Sequence, residues 1–239
     1  MINMNKIVLK NDDLVDNLVI QEDTDLVLTL EYISNNINII IDENVYVNVV
    51  ELSMDTQNTI SFRLNENSRL IYNRLVKNSN DSIYVDLDGI NSSVEINNSI
   101  LSNKRSVCNF NINHNNVSTL SKLSNHGIND SKENLVFNVN AKIVNSAKDS
   151  ITKQENKIIN TNCGKSNIYP NLIVDIDEVD ASHSAYISDF DYESLFYMKS
   201  RGIKEINARK ILLDAFLLGN LENFDEYMSE AKKKLNKWR

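Results

Sequence analysis

The chain has 239 residues, 41% of them hydrophobic, which suits one large domain or one domain with a small appendage. Its net charge of -8 argues against a general nucleic-acid binder, because binding a polyanion requires clustered lysines and arginines. No apolar run approaches the roughly 20 residues of a membrane span. Residues 1–10 lack the pattern of a secretory signal, so we expect a cytoplasmic protein with no membrane partner.

Short runs of alternating apolar residues fill most of the chain from its first residues onward. A period of two is typical of strands with one buried face. The strand starts recur about every ten residues and no helical period interrupts them, which favours an all-β body over a parallel sheet with crossover helices. These runs lie within residues 1–30, 37–41, 45–49, 60–64, 70–72, 83–87, 94–96, 108–112 and 135–139.

Asparagine is abundant between the runs, whereas the chain has only 5 glycines and 1 proline. Asparagine tolerates the left-handed conformation and bonds its own backbone, so it can form the turns that glycine and proline usually form. A sandwich or barrel and a β-solenoid both fit the strand pattern. Stacked coils would align asparagines in hydrogen-bonded rows, which favours the solenoid.

The pattern changes to helical spacing after about residue 189. Asp189 or Asp191 can cap a first helix, and Gly202 sits where a left-handed residue would end it. A second helix is predicted over about 204–218, and a third over 222–238. The third carries its apolar residues on one side: Phe224, Tyr227, Met228, Leu235 and Trp238. Such stripes predict either a cap that closes the open end of the β-body or a surface for a partner.

Few residues carry obvious chemistry. The histidines and cysteines lack the spacing of a structural zinc site, and no glycine-rich phosphate loop predicts ATP binding. His183 lies where strand changes to helix, and Cys163 lies in a predicted turn beside Lys165. Taken alone, each has an ordinary interpretation, as a hydrogen-bonded histidine and an unreactive thiol. Cys108 is predicted in the core and His126 in a turn.

Three blocks in the last third of the chain resemble the SufB/SufD family of iron–sulfur cluster assembly scaffolds. They are YPNL at 169–172, VDASHSA at 179–185 and LFYMKSRGI at 195–203. The resemblance implies a mostly β protein, a right-handed parallel β-helix over 1–188 with a C-terminal α-helical domain over 189–239. It also implies that the helical domain docks a SufC-like ABC ATPase. The candidate docking residues are Leu195, Phe196, Tyr197, Ser200, Arg201, Gly202 and Ile203.

The resemblance further implies that two such subunits pair through their C-terminal coils, as a homodimer or with a paralogue. His183 matches a family histidine at that interface, and Cys163 lies near a cysteine proposed to bind the nascent cluster. Ser182 and Ser184 flank His183 as in SufD, whereas the cysteine is SufB-like. A thiolate and a neutral imidazole can both bind iron, so a transient iron–sulfur cluster is the expected cargo.

Three functions are compatible with these features. The resemblance favours a scaffold subunit, not an enzyme, that pairs, docks the ATPase and receives iron and sulfur at Cys163 and His183. A β-helix enzyme acting on polysaccharide would need a groove with paired carboxylates, and no secretion signal supports that reading. A purely structural partner of the ATPase would never contact a cluster.

Overall fold

The computed structural model describes residues 4–11, 17–221 and 224–238. Strands occupy this part of the chain as far as Asp189, and helices follow. The helices are α1 (Tyr192–Ser200), α2 (Glu205–Leu218) and α3 (Met228–Trp238), with a short 3-10 turn before α3 at Asp225–Tyr227. The strands are β1 (Asn5–Lys10), β2 (Asn17–Ile20), β3 (Thr24–Thr29), β4 (Asn36–Ile41), β5 (Tyr46–Thr56), β6 (Thr59–Leu64), β7 (Arg69–Ser79), β8 (Ser82–Leu87), β9 (Ser93–Ser102), β10 (Ser106–His114), β11 (Leu120–Asn129), β12 (Asn134–Ile143), β13 (Ser150–Asn160), β14 (Lys165–Val174) and β15 (Val179–Asp189).

The strands form a parallel β-solenoid of about six turns, as the sequence predicts. The odd-numbered strands make one sheet, sheet A, in the order β1-β3-β5-β7-β9-β11-β13-β15. The even-numbered strands make the other, sheet B, which runs from β2 to β14. Neighbours such as β11 and β13 pair in parallel. Each coil therefore contributes one strand to each sheet, and the sandwich alternative does not hold.

In-register stacking explains why the period-two pattern is so regular. Equivalent positions of successive coils lie above one another, so one buried position recurs as a column through the solenoid. Ile39, Phe62, Val85, Ile112 and Ala141 are paired along one such column in sheet B, and all are buried. Each coil thus buries its apolar side chains between the two sheets and against the coils above and below.

The asparagines take both predicted roles. Asn44, Asn67, Asn78 and Asn91 adopt positive φ angles of 51° to 60°, so they make left-handed turns without glycine. On sheet B, Asn140 donates to the Asn111 amide oxygen at 3.0 Å, which forms part of a ladder across coils. These bonds satisfy polar groups along the outer face and help to fix the register between coils.

A buried ionic network interrupts the apolar interior near the middle of the solenoid. The Arg74 guanidinium is fully buried and donates to Glu51 at 2.7 Å, to Asp81 at 2.5 Å and to the Asn98 side chain at 3.0 Å. Tyr72 also donates its hydroxyl to Glu51. Because three coils contribute to this network, it ties them to one another.

The first two helices begin and end much as predicted. Asp191 is the N-cap of α1 and accepts from the Glu193 and Ser194 amides at 3.0 Å. Gly202 has φ +84°, and its amide donates to Lys199 while that of the next residue donates to Met198. This is a Schellman ending, which favours glycine. The predicted start of the third helix at Glu222 lies outside the described residues, and α3 itself begins at Met228.

The helices do not close the open end of the solenoid, so that interpretation of their apolar stripes is wrong. The end of α2 and the whole of α3 lie on the outer face of sheet A. Leu217, Leu235 and Trp238 share one buried cluster there with Leu52 and Leu75. The outer face of this sheet carries apolar columns that would otherwise meet water, and the helices cover them.

The chain changes from strand to helix between β15 and α1, close to the predicted boundary at residue 188. The division into two domains there stays a prediction, since α2 and α3 share their apolar cluster with sheet A. Within the described ranges, no helix has both the length and the apolar character needed to cross a bilayer.

Candidate functional site at the terminal coil

Strands β14 and β15, together called the terminal coil, end the solenoid at its C-terminal side. Each is the last strand of its sheet and pairs on one side only, β14 with β12 and β15 with β13. Their outer backbone edges are unpaired within the described part of the chain. An exposed edge presents free N–H and C=O groups and is a template for pairing with another chain.

Large apolar side chains are exposed along this terminal coil. The exposed fractions lie between 40% and 62%. Val174 and Ile187 pair with the buried Ile143 and Ile158 of the preceding coil, so they continue interior columns that no further coil covers in the described part of the chain. Tyr169, Ile173 and Tyr186 lie on the outer faces, opposite Asn138, Lys142 and Lys157. The five residues are Tyr169, Ile173, Val174, Tyr186 and Ile187. Exposed apolar groups beside unpaired strand edges indicate an interface.

His183 lies in the middle of β15 at the mouth of the solenoid interior. It pairs with Gln154 of β13, so both side chains project from the same face of sheet A. Gln154 is buried, and its amide donates across the interior to the Asn171 carbonyl oxygen at 3.4 Å. His183 occupies the same interior row but is exposed, because the solenoid ends at its strand. Its imidazole is therefore accessible at the open end.

Cys163 lies in the turn between β13 and β14, as predicted, and is exposed. Its φ of +55° is left-handed. Asn160, at the end of β13, is level with Asp189, which is six residues beyond His183 on β15. Each residue of a strand adds about 3.3 Å, so the turn that carries Cys163 is displaced from His183 by roughly 20 Å along the strand direction. One chain does not bring the two candidate ligands together.

No set of three His, Cys, Asp or Glu side chains with metal-binding geometry occurs within residues 4–11, 17–221 and 224–238. Cys108, the other cysteine, is buried as predicted. Its desolvated surroundings raise the pKa of its thiol to about 12, so it stays protonated at neutral pH.

The corner between α1 and α2 carries a second exposed surface. Phe196 is 75% exposed and Tyr197 60%, and the Arg201 guanidinium lies over the Tyr197 ring at 5.2 Å. Ser200 is exposed and donates to the Tyr197 carbonyl oxygen at 2.7 Å. Together with Gly202, these residues form a compact aromatic and cationic patch, which we call the corner patch.

Two residues of the predicted docking block face the protein instead. Leu195 is buried with Phe190 and Ala208, and Ile203 is half-buried against the same cluster. They hold α1 against α2 and against Phe190, the residue after β15, and are not available as contact residues. Helical spacing explains the difference, because Leu195 and Phe196 are adjacent in sequence and so point to different sides of α1.

An open cleft of about 650 Å³ lies where the end of α2 meets sheet A beside the terminal coil. Its walls include Lys122, Lys153 and Glu155 from the sheet and Asn220 from the helical region. Asn220 donates to the Asn98 carbonyl oxygen at 3.0 Å and the Ser124 carbonyl oxygen at 3.1 Å. These bonds anchor the end of α2 to the solenoid.

His126 also lines this cleft, and its prediction as a turn residue is wrong. It lies within β11, stacked on Phe216 of α2 with ring centroids 4.4 Å apart. Its Nδ1 must donate to the Phe216 carbonyl oxygen at 2.9 Å, since a carbonyl only accepts. Burial lowers the pKa of His126. The outward alternation of Lys122, Ser124 and His126 was the signal for a strand here.

Comparison with known proteins gives consistent matches. The family model described as SUF system FeS cluster assembly, SufBD core domain, matches residues 17–216. The iron–sulfur cluster assembly protein SufD of Escherichia coli is 30% identical over 137 residues, which are 54% of this chain and 31% of that protein. SufD of Bacillus subtilis is 29% identical over 93 residues, 38% of this chain and 21% of the relative.

A SufBD family protein of Synechocystis is 42% identical over 50 residues, 21% of this chain and 11% of its own length. The matched stretch is thus under a third of each of these three relatives.

Proposed function

This chain belongs to the SufBD core family of SUF-system iron–sulfur cluster assembly, and we propose that it acts there as a scaffold subunit. In this proposal it pairs with a second solenoid subunit through the terminal coil and docks an ABC-type ATPase on the corner patch. The cluster is its cargo, assembled from iron and sulfur at the seam between the two subunits.

The observation that carries the proposal is the open terminal coil. Two unpaired strand edges, five exposed apolar side chains and an accessible His183 lie at the same end of the solenoid. A solenoid end of this kind is stable in water when another end covers it, because pairing satisfies the edge backbone groups and buries the apolar residues.

Pairing would also supply what a single chain lacks for binding a cluster. In an antiparallel pair of β15 strands aligned centre to centre, the end of one strand faces the start of the other, and His183 lies four residues, about 13 Å, from that start, which is closer than the roughly 20 Å within one chain. The far end of this chain's own coil is next to the turn that carries Cys163. A thiolate from one subunit and an imidazole from the other could then share one seam, and both are iron ligands.

The corner patch suits an ATPase that delivers movement. The patch is rigidly joined to the terminal coil, since Leu195 packs on Phe190 directly after β15. Glu205 of α2 also pairs with Lys199 of α1 at 2.7 Å, and Arg209 of α2 holds the same carboxylate at 3.1 Å. Movement of the patch on nucleotide binding would therefore shift the seam. This is a two-state coupling, in which nucleotide favours one arrangement of the interface.

Co-purification of the chain with its ATPase tests the docking. We expect Phe196→Asp and Arg201→Glu each to lose the ATPase, because each places a negative charge in the patch. Tyr32→Asp is the matched control, since Tyr32 is 71% exposed and lies between β3 and β4, toward the opposite end of the solenoid from α1 and the corner patch. Retention of the ATPase by both patch variants would refute docking at this corner.

Anaerobic reconstitution with iron and sulfide tests the cargo. The assembled subunits are compared as wild type, Cys163→Ser, His183→Ala and the neighbouring control Ser184→Ala. We expect the first two substitutions to lower the iron content and alter the absorption spectrum, and the control to do neither. If the iron content and the absorption spectrum are unchanged in both the Cys163→Ser and His183→Ala variants, these residues do not bind the cluster. That result would favour a purely structural role for the chain.

A further inference from the structure

Apart from Lys165, the first residue of β14, the charged residues of the terminal coil are acidic, and this charge bears on which partner it accepts. Residues 166–198 contain no lysine or arginine. They contain seven carboxylates, all exposed: Asp175, Asp177, Glu178, Asp180, Asp189, Asp191 and Glu193. The preceding coil supplies only partial compensation, because Lys148 pairs with Glu178 at 2.9 Å and Lys153 approaches Asp180 at 3.6 Å.

These carboxylates lie at both ends of β15. Asp175, Asp177, Glu178 and Asp180 surround its start, and Asp189 lies at its finish. Within the described residues, no lysine or arginine forms an ion pair with Asp175, Asp177 or Asp189. The unpaired strand edge with its apolar residues is thus bounded by negative charge at each end.

We infer that the terminal coil pairs with a β-solenoid end whose rim is basic, and not with a second copy of this chain. This inference rests on the proposed pairing through β15. Two identical ends that continue sheet A about a two-fold axis run their β15 strands antiparallel. The acidic start of each strand then faces the acidic finish of the other, and like charges facing each other oppose pairing.

The same geometry provides a test within this chain alone. In the variant Asp175→Lys/Asp177→Lys, the start of β15 is basic and its finish stays acidic. An antiparallel pair of such chains places lysines against Asp189 at both ends, so the variant is complementary to itself. Adding Asp189→Lys restores like charges at both ends. All three positions are exposed, so the variants keep the core of the solenoid.

The experiment is sedimentation equilibrium of the purified full chain at about 20 mM and about 500 mM salt, where screening differs strongly. We expect wild type and the control Glu43→Lys/Glu66→Lys to be monomeric at low salt. We expect Asp175→Lys/Asp177→Lys to dimerise at low salt, with the dimer weakened at least tenfold at high salt or by adding Asp189→Lys. The control residues are exposed and lie on turns far from the terminal coil.

Two results would overturn the inference. One is a stable wild-type dimer at low salt that Tyr186→Asp dissociates, which would mean that this edge pairs with its own copy despite the charge. The proposed scaffold function would still be compatible with this outcome, because a homodimer also pairs two solenoid ends. The other is a double-lysine variant that remains monomeric at low salt. Failure of the scaffold function is read separately, from loss of iron incorporation or of ATPase binding in the assembled complex.

Discussion

Replacing Arg74 with methionine tests the buried ionic network that ties three coils together. The substitution removes the bonds to Glu51, Asp81 and Asn98 from a fully buried site. Asp81 keeps donors from Thr56 at 2.8 Å and Ser79 at 2.6 Å, but among the residues that the structure describes Glu51 keeps only the Tyr72 hydroxyl. Because a buried carboxylate then lacks its cation, we expect the free energy of unfolding to fall by about 3–5 kcal/mol.

Urea unfolding followed by circular dichroism measures this loss. The exposed pair between Arg63 and Asp88, at 3.1 Å, provides the control, and Arg63→Met should cost no more than about 1 kcal/mol. Adding Glu51→Gln to Arg74→Met removes the stranded charge, so the double variant should be more stable than Arg74→Met by about 1 kcal/mol or more. A double variant less stable than Arg74→Met would refute the reasoning.

Other predictions follow from local geometry. A Cβ on Gly127 would lie 2.8 Å from Leu135 and Phe137 side chains, so Gly127→Ala should lower the free energy of unfolding by about 1–3 kcal/mol through overpacking, measured by urea unfolding. Burial lowers the pKa of His114 to about 4, below its unfolded value of about 6.5. The unfolded chain therefore binds more protons between these values, and stability should fall by about 3 kcal/mol as the pH drops through this window. The variant His114→Gln should not show this loss of stability. An equal slope of the free energy of unfolding against pH in variant and wild type would contradict the prediction. Under native conditions a thiol reagent should modify Cys163 quickly and Cys108 only after unfolding, because one is exposed and the other buried. Rapid reaction of two thiols in the folded protein would be the contrary result.

The architecture was predictable because it depends on patterns local to each coil. Equivalent strand positions stack in register from coil to coil. This stacking accounts for the period-two apolar runs, for asparagine in the turns and for the scarcity of glycine and proline. The caps of α1, Asp191 and Gly202, were predictable for the same reason, since a helix end depends on a few adjacent residues.

What the sequence did not reveal depends on contacts between distant segments. Whether the apolar stripes of α2 and α3 cover the end or the side of the solenoid is decided by the columns containing Leu52 and Leu75, more than 140 residues earlier. The residues around His126 suit a turn as well as a strand, because Ser124, Asn125 and Gly127 lie beside it, and its stacking on Phe216 depends on a residue 90 positions away. The predicted docking block groups the buried Leu195 with its exposed neighbour Phe196, because a motif does not show which side of a helix is buried.

The most direct test of the central claim is native mass spectrometry of the chain co-expressed with its ATPase and a second solenoid subunit. The wild type and the control Tyr32→Asp should each give the complete complex. Tyr186→Asp, which puts a charge on the exposed terminal coil, should lose the second solenoid subunit and retain the ATPase. A complex in which Tyr186→Asp leaves the second subunit bound would contradict pairing through this edge.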